Sequence, residues 1–235
     1  MNKLTKYFIC AACLLSLISC ASKQTSYVYD DEDVDIYDLS ENEKLVEAPV
    51  MTDDFLGDLD PVLVKKTMVL TKSSKGMKPL ELSNTYLFPR YNTLEFTFRY
   101  GVNNINFTLN KTERNKLAKT MEQFLADYEA KVLPRHKVKS KNAYYNSNCT
   151  LRFGVASFNY VADECKYWTN CEIIDKHAYF LLHFSRTETR NGQEYTPQVN
   201  LYLSPSQIRD FLEILDQEYL NTQVQELRTK AYTYD

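Results

Sequence analysis

Apolar residues recur along this chain with two periods, and the changes from one to the other mark out its elements. Between Thr93 and Tyr100 apolar and polar positions alternate strictly, with Leu94, Phe96, Phe98 and Tyr100 on one side. That is the pattern of a strand buried on one face. Gly101 to Asn103 supply turn residues, and Ile105, Phe107 and Leu109 then line one face of a second strand, so the pair predicts a hairpin. Asn110 with Glu113 three residues later forms a capping-box start, in which each side chain can satisfy the other's orphan backbone donor. Leu117, Met121, Phe124, Leu125 and Tyr128 follow at spacings of one to four residues, the stripe of an amphipathic helix that ends before Pro134.

The same order returns downstream. Ala178, Phe180, Leu182 and Phe184 alternate, Asn191-Gly192 is a strong hairpin signal, and Val199, Leu201 and Leu203 alternate again. Ser204-Pro205-Ser206-Gln207 opens a helix, with proline at the first helical position, where its missing donor costs nothing. Ile208, Phe211, Leu212, Leu215 and Tyr219 form its expected buried stripe. Further strands are predicted at Met68 to Thr71, Glu81 to Phe88, Cys149 to Phe158 and Tyr167 to Ile174. The expected class is α+β, with two similar halves, each an antiparallel strand meander followed by one amphipathic helix. In this order of elements the chain resembles the PUR and Whirly groups of nucleic-acid-binding proteins. TBP-like folds fit the same order. The resemblance is topological, carries no shared motif, and implies no function by itself.

The N-terminus has another character. Lys3 and Lys6 precede an apolar stretch from Phe8 to Ile18, which is about a dozen residues where a membrane span needs about 20. Leu17, Ile18, Ser19 and Cys20 follow the order of the lipobox, so this segment resembles the signal peptide of a bacterial lipoprotein. That resemblance implies diacylglyceryl transfer to the Cys20 thiol, cleavage between Ser19 and Cys20, and acylation of the new amine, with palmitate-type chains holding the protein on a membrane. Ala21 and Ser22, in place of an aspartate, favour the outer membrane over the inner one.

Charge divides the remainder. Between Asp30 and Asp60 there are 13 acidic residues and one lysine, whereas from Pro61 to Asp235 there are 24 Lys and Arg against 18 Asp and Glu. An acidic stretch without periodic apolar residues buries too little to offset ordering entropy and extends by self-repulsion. The expected organisation is therefore a signal at 1–19, a flexible tether at 20–60, a first half at 61–134, a basic linker at 135–147, a second half at 148–228 and a tail at 229–235. Cys149, Cys165 and Cys171 remain after the anchor. Outside the cytoplasm disulfides persist, and the five residues between Cys165 and Cys171 suit a hairpin turn, so that pair is the expected disulfide. Cys149, in step with Leu151, Phe153 and Val155, reads as a buried thiol.

Motifs for chemistry are scarce. Five glycines supply no phosphate-cradling loop and no Gly-x-Ser-x-Gly elbow, and the aspartates of the tether lack calcium-loop spacing. His177 and His183 lie six residues apart on one strand, about 20 Å, too far to share a metal. No catalytic set, metal or cofactor is expected. Lys131, Arg135, Lys137, Lys139 and Lys141, with His136 among them and Tyr144 and Tyr145 after, are the candidate polyanion contact. The leading expectation is a lipid-anchored envelope protein acting as a binding or scaffolding module, with a membrane through its lipid and an envelope protein or anionic surface as partners. A periplasmic enzyme or enzyme subunit with a site between the halves is the second reading, and a Whirly-like binder of nucleic acid or another polyanion the third, less expected outside the cytoplasm.

Overall fold

Antiparallel strands laid side by side carry the apolar faces that the alternation predicts. The computed structural model describes residues 52, 54–82, 84–135, 137–155 and 159–232, and these belong to one unit. The signal peptide, the lipobox and nearly all of the acidic segment lie outside the described residues. Along the chain come β1 (Val62–Leu63), β2 (Thr67–Ser73), β3 (Gly76–Leu82), β4 (Asn84–Phe88), β5 (Thr93–Tyr100), β6 (Asn103–Leu109) and α1 (Lys111–Glu129). There follow β7 (Tyr145–Gly154), β8 (Tyr160–Ile174), β9 (His177–Phe184), β10 (Val199–Leu203), α2 (Pro205–Leu215) and α3 (Gln217–Tyr232). Among the described residues the ten strands form one antiparallel sheet in the order β1-β4-β5-β6-β7-β8-β9-β10-β2-β3. Edge strand β3 comes back against β5, so the sheet curls upon itself.

The core lies between this sheet and the helices. Phe96 stacks on Phe107 at 4.7 Å and on Phe211 of α2 at 5.2 Å, while Phe124 of α1 meets Phe180 edge-on at 5.7 Å. α1 packs on β6, β7 and β9, α2 on β2, β9 and β10, and the two helices pack on each other. The α+β class is as the sequence predicts. Two hairpin-and-helix units are present, β5-β6-α1 and β9-β10-α2, but they share one sheet through the β6–β7 ladder. The β2–β3 hairpin leaves the first half to pair with β10, by Tyr202 opposite Leu70.

Local differences have physical causes. The Asn110 side chain caps α1 by accepting from the Glu113 N–H at 2.9 Å. The Glu113 carboxylate does not complete the box, because the hydroxyls of Tyr145 and Tyr167 donate to it at 3.0 and 2.8 Å. The box at Ser204 and Gln207 is complete. The second helix is two: Asp216 takes an extended conformation, ends α2 and accepts from the Tyr219 N–H at 2.8 Å to start α3. The packed chain begins before the tether boundary expected at residue 60, since Leu56 is buried and its N–H donates to Pro89 O at 2.9 Å. Part of the expected linker is also fixed, with the Tyr144 N–H on Thr169 O and the Asn170 amide on the carbonyls of Lys139 and Asn142.

The expected Cys165–Cys171 disulfide is overturned. Both cysteines sit on the single strand β8, and the segment between them is strand, not turn. Six residues of strand span about 20 Å, whereas disulfides need Cα atoms within about 7 Å. Cys149 lies directly opposite Cys165 in the β7–β8 ladder, and none of these three cysteines is bonded to another in this structure.

Candidate functional site

The end of α1, the turn between β8 and β9, and the start of α2 enclose a cleft of about 330 Å³. Each wall is built by a local rule. α1 stops in a Schellman arrangement: the Lys131 N–H donates to Tyr128 O at 3.1 Å and the Val132 N–H to Asp127 O at 2.9 Å, with Lys131 left-handed at φ 58°. Glycine usually holds that position because it has no Cβ. The β8–β9 turn has two residues, Asp175 and Lys176, between the paired Ile174 and His177. Both have positive φ, 48° and 69°, as a type I′ turn requires. Here too lysine stands where glycine is favoured. Lys131 and Lys176 both line the cleft.

Arg135 and His177 complete the basic lining, while Tyr128, Leu133, Ile173, Ala178 and Tyr179 supply apolar surface. No carboxylate lines it. Asp175, beside Lys176 in the turn, is exposed and does not line it; Glu129 accepts from Arg209 at 3.1 Å, and Glu172 from Lys72 at 3.0 Å and the Tyr202 hydroxyl at 2.9 Å. Lys131, Arg135 and Lys176 are exposed and make no ion pair among the described residues. Ser204 and Pro205 bring the α2 N-terminus to the wall, and its partial positive charge adds to the field.

Of the five predicted polyanion contacts, Lys131 and Arg135 reach this cleft, and Lys137, Lys139 and Lys141 do not line it. His136 lies outside the described residues. Lys176 and His177 were not placed there by sequence, and Tyr128, expected in the buried stripe, is 42% exposed at the cleft wall. His183 stacks on Trp168 at 4.3 Å and bonds Asn200 at 2.6 Å; burial lowers its pKa, against that hydrogen bond. Arg114 is fully buried, with Nη2 donating to Asn92 Oδ1 at 2.7 Å and Gln217 Oε1 at 3.0 Å. Burial pushes its pKa down to about 10, partly offset by Asp216. That residue ties α1 to α3 and faces no cleft.

Among the described residues no three His, Cys, Asp or Glu side chains converge as metal ligands, and no helix is long and apolar enough to cross a membrane. A family model described as "Uncharacterised Treponema protein" matches residues 61–222, which run from β1 into α3. An "Uncharacterized protein" of Treponema pallidum (strain Nichols) is 28% identical over 153 residues, 64% of this chain and 55% of that protein. The chain thus spans little more than half the length of that relative. No solved structure matches.

Proposed function

We propose that this chain, which belongs to that Treponema protein family, is a lipid-anchored envelope protein whose sheet-and-helix domain is a binding module for an anionic group. The anchor rests on the lipobox at Leu17 to Cys20. The binding role rests on one observation: Lys131, Arg135 and Lys176 converge on a cleft that no carboxylate lines. A cavity of about 330 Å³ falls at the small end of ligand pockets, which run from about 300 Å³ upward. It suits a projecting carboxylate or phosphate better than a flat membrane. An acidic segment of an envelope protein is the favoured source. The hairpin-and-helix units support an origin by internal duplication, and the cleft lies where the end of one unit's helix approaches the start of the other's.

Two experiments test the reading. In detergent phase separation the native lipoprotein partitions with detergent and Cys20→Ser with water; if both partition alike, the anchor is wrong. For the cleft, the Cys20→Ser chain is titrated with a fluorescent oligo-glutamate peptide, and then again with Lys131, Arg135 and Lys176 changed to alanine. Three exposed charges at about 0.5–1 kcal/mol each predict a loss of about tenfold to a hundredfold. Equal binding by both proteins, or none by the parent, refutes the assignment.

A further inference from the structure

Cys149 and Cys165 are paired residues of the β7–β8 ladder, with both side chains on the core face. Directly opposed residues of antiparallel strands have Cα atoms about 4.5–5.5 Å apart, inside the range of about 4.4–6.8 Å that disulfides occupy. Both cysteines belong to the same buried core cluster. The ladder shifts register just after Cys149, so this is also where β7 and β8 are held by fewer regular bonds. Cys171 has no such neighbour, and burial pushes its thiol up to about 11.

The geometry points to a cross-strand disulfide between Cys149 and Cys165 that staples β7 to β8, with Cys171 remaining a thiol. The oxidant is an external disulfide, carried by a thiol–disulfide oxidoreductase or a small molecule. The thiolate of one cysteine attacks it, forming a mixed disulfide and releasing one external thiolate. The second cysteine, deprotonated, attacks the protein sulfur of that mixed disulfide and expels the other. Two protein thiols thereby lose two electrons and two protons, and the external disulfide becomes two thiols. Because both sulfurs are buried once the sheet closes, the exchange belongs to folding, before β7 and β8 are covered by α1.

In the cell this step rests on the export proposed above, since a reducing cytoplasm would keep the thiols free; refolding in a test tube does not. The full chain carrying Cys10→Ser, Cys13→Ser and Cys20→Ser, the background of every variant below, is refolded with reduced and oxidised glutathione, alkylated under denaturing conditions and digested with trypsin. The three cysteines fall in separate peptides, 142–152, 153–166 and 167–176. The expected product joins 142–152 to 153–166 with the loss of two hydrogens, and 167–176 is alkylated. Three alkylated peptides, or a link that includes 167–176, overturns the proposal. As a second readout, reductant should lower the melting temperature of Cys20→Ser and Cys20→Ser/Cys171→Ser chains and leave a Cys20→Ser/Cys149→Ser/Cys165→Ser chain unmoved; equal response of all three also overturns it. If the link forms on refolding but protein alkylated directly from cells has three free thiols, export fails while the pairing stands.

Discussion

Replacing Lys131 and Lys176 by glycine separates what these residues cost the fold from what they give the cleft. Both have left-handed backbones, φ 58° and 69°, where a Cβ crowds the following carbonyl at about 1–2 kcal/mol per residue. Glycine removes that strain, but its freer unfolded chain returns about 0.5–1 kcal/mol. The net gain is about 0.5–1 kcal/mol at each site, by difference of these two effects. In a body of this size 1 kcal/mol moves Tm by about 2–4 °C, so the double variant should melt about 2–8 °C higher. Two of three cations are gone from the cleft, so affinity for oligo-glutamate should fall about tenfold. Calorimetry and titration on the same preparation measure both. Lys131→Ala with Lys176→Ala is the control: it loses the same charges and keeps the strain, so it should bind as weakly without the added stability. A double glycine variant that melts lower than its parent, or melts higher and binds undiminished, refutes the reasoning.

Glu113→Gln should cost about 1–2 kcal/mol at neutral pH by weakening charge-assisted bonds from the Tyr145 and Tyr167 hydroxyls. Burial raises the Glu113 pKa, but hydrogen bonds from Ser147, Tyr167 and Tyr145 outweigh it, leaving the carboxyl below its ordinary 4.5. Its contribution is therefore full above the unfolded pKa and is lost as pH falls through the lower folded value. Urea unfolding of both proteins at neutral pH and at about pH 3 should show the gap closing in acid, and a gap independent of pH would contradict this account. Asn92→Ala removes the 2.7 Å bond that the buried Arg114 guanidinium makes to Asn92 Oδ1, leaving it Gln217 and the carbonyl of residue 92, and should cost about 1.5–3 kcal/mol. Arg114→Met removes that charge together with its Nε and Nη1, which have no partner among the described residues, and should change stability by about 1 kcal/mol or less. The opposite order in denaturant midpoints would show that the guanidinium is a net asset.

What could be read in advance were the elements whose patterns are local. β5, β6, β9 and β10 alternate cleanly, and Asn110 and Ser204 cap the helices that follow. β3 escaped because Met77, Lys78, Pro79 and Leu80 show no clean period, and because an edge strand tolerates the missing N–H of Pro79. The sequence predicts β8 only from Tyr167 onward, and taking Lys166 to Asn170 for a hairpin turn yields the wrong disulfide. Thr169 and Asn170 are instead buried within the strand, Asn170 with hydrogen bonds to carbonyls 28 and 31 residues away in sequence. The docking of β2 and β3 beside β10 joins ends of the chain that no window of sequence connects.

Half of the cleft shared the fate of these long-range features. Lys131 and Arg135 belong to a basic run visible in sequence, but Lys176 gains meaning only once its turn is seen. A lysine at the second position of a two-residue hairpin turn is an ordinary surface charge until its φ of 69° shows that glycine would serve the turn better. The same holds for Lys131 at the C′ position of α1, where two backbone hydrogen bonds fix the chain around it. Strain of this kind persists when the surroundings over-determine it, and it collects at ligand clamps. Because the backbone at both positions is already held by helix end and strand register, an incoming anion has to order only side chains, at about 0.5–1.5 kcal/mol each. Arg135, on irregular chain beyond the helix, has no such support in its φ. Lys131→Ala and Lys176→Ala should therefore each weaken binding more than Arg135→Ala, although the three side chains carry equal charge.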